Sequence, residues 1–212
     1  AKLEEAGLTV YTMQIGKATK DSIREEFINM GKILNNQAQA EKLVAYWDKT
    51  FAMLDERLSA IPAEERKMVY YTGKTIEEAS SGGWSTSWLE GSGAISTLDR
   101  DFSGDVSVEQ VMEWNPDVIV TQGGNGKEGL LGDARIQDMA AIKNKQVYEC
   151  PIGSFWWDRP SPEAPLGFIW LAQLLYPEQM QGVDLKQETL DFFKTFYGHE
   201  LTDAEYDSFF FQ

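Results

Sequence analysis

Aromatic rings next to a cation give a chain a way to hold a solute, and Phe155-Trp156-Trp157-Asp158-Arg159 supplies both. The rings offer apolar area and stacking. Arg159 offers a planar fork of donors for an anion, and Asp158 an acceptor. Trp84, within Ser81-Gly82-Gly83-Trp84-Ser85-Thr86, again joins an aromatic to small residues, whose backbone amides can approach a polar ligand. Trp84, Phe155, Trp156, Trp157, Asp158 and Arg159 are therefore the candidate ligand-binding residues. The local alternative is that a tryptophan plugs the end of a sheet while Asp158 pairs with Arg159 or a nearby amide.

Residues for catalysis are scarce. There is a single histidine, His199, in the tail Phe196-Tyr197-Gly198-His199, so neither an imidazole cluster nor a histidine triad is expected, and direct capture of zinc or manganese is disfavoured. The single cysteine, Cys150, cannot form an internal disulfide and is expected as a small buried residue at a strand end. Asp99, Asp101 and Asp105 cluster without the spacing of a calcium loop and are taken as a solvated loop. Gln122-Gly123-Gly124-Asn125-Gly126-Lys127 lacks the Gly-Lys-Ser/Thr ending of a phosphate loop and suits a flexible cleft rim. Were the chain an enzyme, Asp158 and Glu128 would be its acid–base candidates. The expectation is no enzyme, no cofactor and no metal ligands.

The chain carries 19 Lys and Arg against 34 Asp and Glu, a formal charge of −15. A surface so acidic argues against nucleic acid or an anionic membrane as the main partner. Its 212 residues are 42% hydrophobic, enough for a core, and contain no run of about twenty apolar residues that would span a bilayer.

Positioning these residues requires a scaffold, and the pattern supplies strands alternating with helices. Leu8–Met13 is expected as a strand, preceded by a short helical tail and Gly7. Ile23, Phe27, Met30, Ile33 and Leu34 recur at helical spacing, with Asp21 or Ser22 as the cap. Residues 37–61 form a longer stripe through Ala40, Leu43, Val44, Trp47, Phe51, Leu54, Leu58 and Ile61, closed by Pro62. At 1.5 Å per residue this helix spans roughly 36 Å. Strands follow at 67–73, 117–124 and 146–151. Helices are expected at 86–97, at 107–114 behind the cap Ser107, near 135–142, and from Pro162 to Leu175 behind the cap Ser161, before a helical tail. Glu163 is expected to favour the positive end of that last helix. Such alternation implies a mainly parallel sheet covered on both faces, with ligands beyond the carboxyl ends of the strands. Three strand exits then matter: 72–84, 121–128 and 151–159.

In this order the chain resembles the solute-binding components of ABC importers that serve iron-siderophores, haem and cobalamin, in which two α/β lobes are joined by one long helix. The resemblance rests on AKLEEAGLTVYTM, MGKILNNQAQAEKLVAYWDKTFAMLDERLSAI, KMVYYTG, VSVEQVMEWNPDVIV, IQDMAAIKNKQVYECP and WDRPSPEAPLGFIWLAQLLYPE. It implies residues 1–35 as a remnant of the first lobe, 36–62 as the connecting helix, and 63–212 as a three-layer Rossmann-like C-terminal lobe. With no initiator methionine, signal peptide or lipidation cysteine at its start, the chain is expected to be a fragment of an extracytoplasmic protein. The resemblance further implies a monomer that captures a metal chelate and delivers it to a membrane permease. Trp84 and Phe155–Arg159 would line the cleft, and Glu109 would meet arginines of the permease.

Overall fold

The structure, a computed structural model, describes residues 2–15, 18–80, 82–100, 102, 104–124 and 126–211. The readings placed on Ser81, Asp101 and Asn125 therefore lie outside the described residues. Helix α1 (Lys2–Glu5) precedes α2 (Ser22–Ile33) and the long α3 (Gln37–Leu58). Then come β1 (Met68–Thr72), α4 (Gly83–Gly91), β2 (Ile95–Ser96), α5 (Val108–Trp114), β3 (Val118–Thr121), α6 (Gly126–Gly132), α7 (Ala140–Lys143) and β4 (Val147–Glu149). Helix α8 (Ala164–Leu175), α9 (Leu185–Phe192), a π-helical turn (Phe193–Tyr197) and α10 (Asp203–Asp207) complete the chain.

The four strands form one parallel sheet in the order β2-β1-β3-β4. Side chains alternate across it, as the two-residue period of a strand requires. Val69, Tyr71, Val118 and Val120 join one apolar cluster with α3, α4, α8 and α9. Tyr70, Ile119 and Val147 join another with Val111, Leu130, Met139 and Ile142. The result is a three-layer α/β fold of Rossmann type, with the central strands β1 and β3 buried on both faces.

Helix α8 is apolar on nearly all sides, with nine of its twelve residues buried. Its place between the sheet and other helices accounts for this. Against it lies α3, whose Trp47, Phe51, Leu54 and Leu58 are buried in a stripe spaced by three or four residues. Phe51 meets Phe168 edge-on at 4.8 Å, and the Trp47 indole Nε1 donates to the Pro162 carbonyl at 3.3 Å. Glycine is required where α8 meets the β4 exit: a Cβ at Gly167 would lie 2.2 Å from the Trp157 carbonyl oxygen.

Several expected elements shift. Residues 8–13 form no strand, because no strand among the described residues offers them backbone partners, and Leu8, Val10 and Tyr11 are exposed. Neither Asp21 nor Ser22 donates a cap to α2: Asp21 pairs with Arg24, while Ser22 Oγ accepts from the Thr19 amide at 2.9 Å. Helix α3 stops at Leu58, leaving Ile61 buried in the following turn. The expected helix at 86–97 begins earlier, at Gly83, and its last residues form β2 instead. Helix α6 begins at Gly126, inside the expected loop 122–127, and within 135–142 only residues 140–142 are helical, in a helix that runs on to Lys143. Ser161 is buried before α8 rather than capping it, and Pro165 rather than Pro162 sits in the first turn.

Candidate functional site

In the order β2-β1-β3-β4, the chain leaves β1 toward β2 on one side, while β3 lies on the other. A doubly wound sheet opens a crevice beyond the carboxyl ends of its strands at such a reversal. Here that crevice is bordered by the exits of β1 and β3, and the exit of β4 lies next to β3. The three exits are tied together at their bases. Gln122 N donates to the Thr72 carbonyl at 3.0 Å, Cys150 N to Thr121 at 2.9 Å, and Ser80 N to Tyr71 at 2.9 Å.

A line of side chains crosses the same three exits. Arg159 Nη2 donates to Gln122 Oε1 at 2.6 Å, and Gln122 Nε2 donates to Ser80 Oγ at 2.5 Å. Arg159 Nε also faces Asp158 Oδ1 at 3.6 Å. One residue from each exit thus joins a chain that ends in a cation whose side chain is 39% exposed. Beside it in sequence, Phe155 and Trp156 are 44% and 39% exposed and pack edge to face at 5.2 Å.

The six candidate binding residues occupy two kinds of place. Phe155, Trp156 and Arg159 reach solvent. Trp84, Trp157 and Asp158 are buried, although all six were expected to line a cleft. Trp84 packs between Trp47 and Phe168, and its Nε1 donates to the Asp158 carbonyl at 2.9 Å. Trp157 lies edge-on against Phe209 and Phe210, and its Nε1 donates to Glu163 Oε2 at 3.1 Å. The Asp158 carboxylate accepts from the Tyr71 hydroxyl inside the core. Burial raises the Asp158 carboxyl above its ordinary range and drives the Tyr71 phenol well above its own.

Three residues that matter here carry no motif. Gln122 sits in a glycine loop whose glycines attract the eye, and Ser80 in a polar loop. Glu163, expected to act on the helix dipole, is fully buried and accepts from Trp157 Nε1, from Ser154 N at 3.2 Å and from the Tyr197 hydroxyl at 3.0 Å. It anchors the β4 exit on both sides of Phe155-Trp156. A Cβ at Gly153 would lie 2.1 Å from Glu163 Oε2 and 2.8 Å from Trp157 Nε1, so a side chain there would have to displace this carboxylate and its indole donor. The only sequence signal for Gln122 was its place directly after a β-branched strand.

Elsewhere, Glu109 is exposed in the first turn of α5, which Ser107 caps by accepting from Gln110 N at 3.2 Å. Glu128 is exposed on α6, as are Asp99 and Asp105. Cys150 is buried just beyond β4, as expected, and burial pushes its thiol well above the ordinary range. His199 is exposed and lies 3.2 Å from Glu205. Among the described residues, no three His, Cys, Asp or Glu side chains gather as a metal site, and no helix is long and apolar enough to cross a membrane. An apolar groove of about 230 Å³, lined by Phe27, Met30, Leu43, Pro162 and Phe196, lies on the α2–α3 side and includes none of the strand-exit candidates.

The chain is thus a parallel α/β lobe whose β4 exit exposes Phe155, Trp156 and Arg159. The sequence model of a family described as "Periplasmic binding protein" matches residues 1–152, and the chain belongs to that family. The molybdate-binding protein MolA of Haemophilus influenzae is 30% identical over 186 residues, covering 85% of this chain and 53% of MolA. Its molybdate-bound crystal structure aligns with a TM-score of 0.77 at 28% identity, covering 88% of this chain and 59% of that one. A periplasmic solute-binding protein of Veillonella parvula aligns with a TM-score of 0.84 at 26% identity, over 99% of this chain and 65% of that structure. CeuE of Helicobacter pylori, solved with Ni(II) bound, gives a TM-score of 0.76 at 26% identity, over 91% of this chain and 63% of its own. The chain spans about half the length of the curated relative it matches.

Proposed function

We propose that this chain belongs to the solute-binding component of an ABC importer, working outside the cytoplasm and delivering an anionic, metal-containing solute to a membrane permease. Residues 36–62 serve as the helix connecting two lobes, 63–212 as the C-terminal lobe, and 1–35 as part of the N-terminal lobe. The observation that carries the reading is the half-exposed Arg159, held at the meeting of three strand exits and preceded in sequence by exposed Phe155 and Trp156. Guanidinium recognises anionic oxygens and the rings supply apolar and stacking area. Trp84, Trp157 and Asp158 support that surface from beneath. A metal chelate of the siderophore, haem or cobalamin kind fits this chemistry. MolA bound to molybdate and CeuE with Ni(II) bound support a metal-containing solute more broadly.

The competing reading is an enzyme acting on a tetrapyrrole or metal cofactor through Asp158 or Glu128. Asp158 is buried against Tyr71, which disfavours it as an acid or base for a solute there, and Glu128 stands exposed on α6. Calorimetric titration of the full-length protein with molybdate, ferric chelates, haem and cobalamin tests the binding reading. Arg159→Ala is expected to weaken the bound member of the panel by tenfold or more, roughly the value of a charge-assisted pair. Unchanged affinity would remove the site. Glu109, exposed on α5, is assigned to docking on the permease, and Glu109→Arg is expected to abolish uptake while leaving solute affinity intact. Normal uptake would remove that role.

A further inference from the structure

The hydrogen bonding around Arg159 is directional enough to narrow the kind of solute. Its Nε faces Asp158, and one Nη2 hydrogen goes to Gln122 Oε1. Both Nη1 hydrogens and the second Nη2 hydrogen take no hydrogen bond among the described residues. With Gln122 taking the Nη2 hydrogen on the Nε side, one Nη1 hydrogen and the other Nη2 hydrogen form the end-on edge of the guanidinium, the edge that matches two oxygens of an anion at once. Gln122 is fixed at both its ends: its backbone amide donates to Thr72 and its side-chain amide to Ser80. The Asp158 carboxylate, already accepting from Tyr71, is buried behind Arg159 and does not reach the open edge.

We infer that Gln122 is a positioning and specificity-determining residue, which pins one edge of Arg159 so that the end-on fork stays open for a solute presenting two anionic oxygens. A neutral amide suits this task. It accepts from the guanidinium without cancelling its charge, whereas a carboxylate at this position would occupy the fork itself. The inference rests on the solute site proposed above. Two sources share the required chemistry, a free tetrahedral oxyanion and a metal chelate with outward carboxylates.

The test uses full-length protein titrated with molybdate, with ferric citrate, and with ferrichrome as a neutral ferric chelate. Wild type is expected to bind molybdate or ferric citrate at least tenfold more tightly than ferrichrome, and which of the two binds identifies the source. Gln122→Met, close in shape but without hydrogen bonds, is expected to weaken the anionic probe about tenfold, and Gln122→Glu more strongly. Neither is expected to change affinity for ferrichrome, and thermal unfolding near the wild-type temperature would separate positioning from loss of fold. If either variant binds the anionic probe within twofold of wild type while Arg159→Ala loses it, the role of Gln122 is overturned and the site stands. Should Arg159→Ala bind as wild type does, or wild type prefer ferrichrome, both the site and this inference fall, whereas binding to none of the three probes overturns this inference and leaves the site to the wider panel.

Discussion

Two halves of the β4 exit invite comparison, because adjacent residues of like type end in opposite environments. Phe155 and Trp156 face outward, at 44% and 39% exposure. Trp157 and Asp158 face inward, at 0% and 1%. The reversal follows from the local backbone. Ile152 and Trp156 pair as an isolated antiparallel bridge, Gly153 N donates to the Phe155 carbonyl at 3.1 Å, and Trp157 N to the Pro151 carbonyl at 3.2 Å. That small turn carries residues 155 and 156 over its tip and returns the chain to the core at Trp157. Glu163 then holds both sides of the turn from within. Composition alone therefore does not divide a binding surface from its support.

The largest effect expected from breaking this contrast is Trp157→Ala. It empties a fully buried site between α8 and the C-terminal aromatics and leaves Glu163 without one of its donors. About 3–5 kcal/mol of stability should be lost, read by denaturant unfolding. A loss below about 1 kcal/mol would mean that Trp157 is not the inward support described.

A smaller, pH-dependent effect is expected at Glu163, where burial raises the carboxyl above its ordinary value of 4.5 despite the donors around it. Because the folded state binds this proton more tightly, the contribution is fully present below the ordinary value and is lost as pH rises through the raised one. Wild type should therefore lose stability relative to Glu163→Gln as pH rises from about 4.5 toward neutrality. Unfolding free energies measured across that range would run parallel in the two proteins if Glu163 did not titrate this way.

Trp156→Ala is expected to have the smallest effect on stability, within about 0.5 kcal/mol, since the ring is exposed at the loop tip. Its consequence should appear in solute affinity instead. A stability loss approaching that of Trp157→Ala would erase the contrast between the two halves.

Much of this contrast was hidden in the sequence, and its parts differ in why. Strands β1, β3 and β4 were legible because buried parallel strands are continuous apolar runs bounded by turn residues. Helices α3 and α8 were legible from their apolar stripes, and α5 from Ser107. Residues 8–13 have the composition of a strand, but a strand exists only where a neighbour supplies hydrogen bonds. Ser161 has the type of a cap, yet Glu163, the residue flanking α8, turns its carboxylate to the β4 exit, and Ser161 is buried.

At the candidate site, the sequence by itself determined the inventory: the aromatic run, the cation Arg159, the strand exits that carry them and the near absence of imidazole and thiol chemistry. Which ring faces solvent was decided only by the tertiary structure. The direction of each side chain there depends on one turn of backbone and on a buried carboxylate reached from α8. The link from Arg159 through Gln122 to Ser80 joins residues 37 and 42 positions apart. No local period or motif encodes such separations; the parallel order of the sheet brings the three exits side by side.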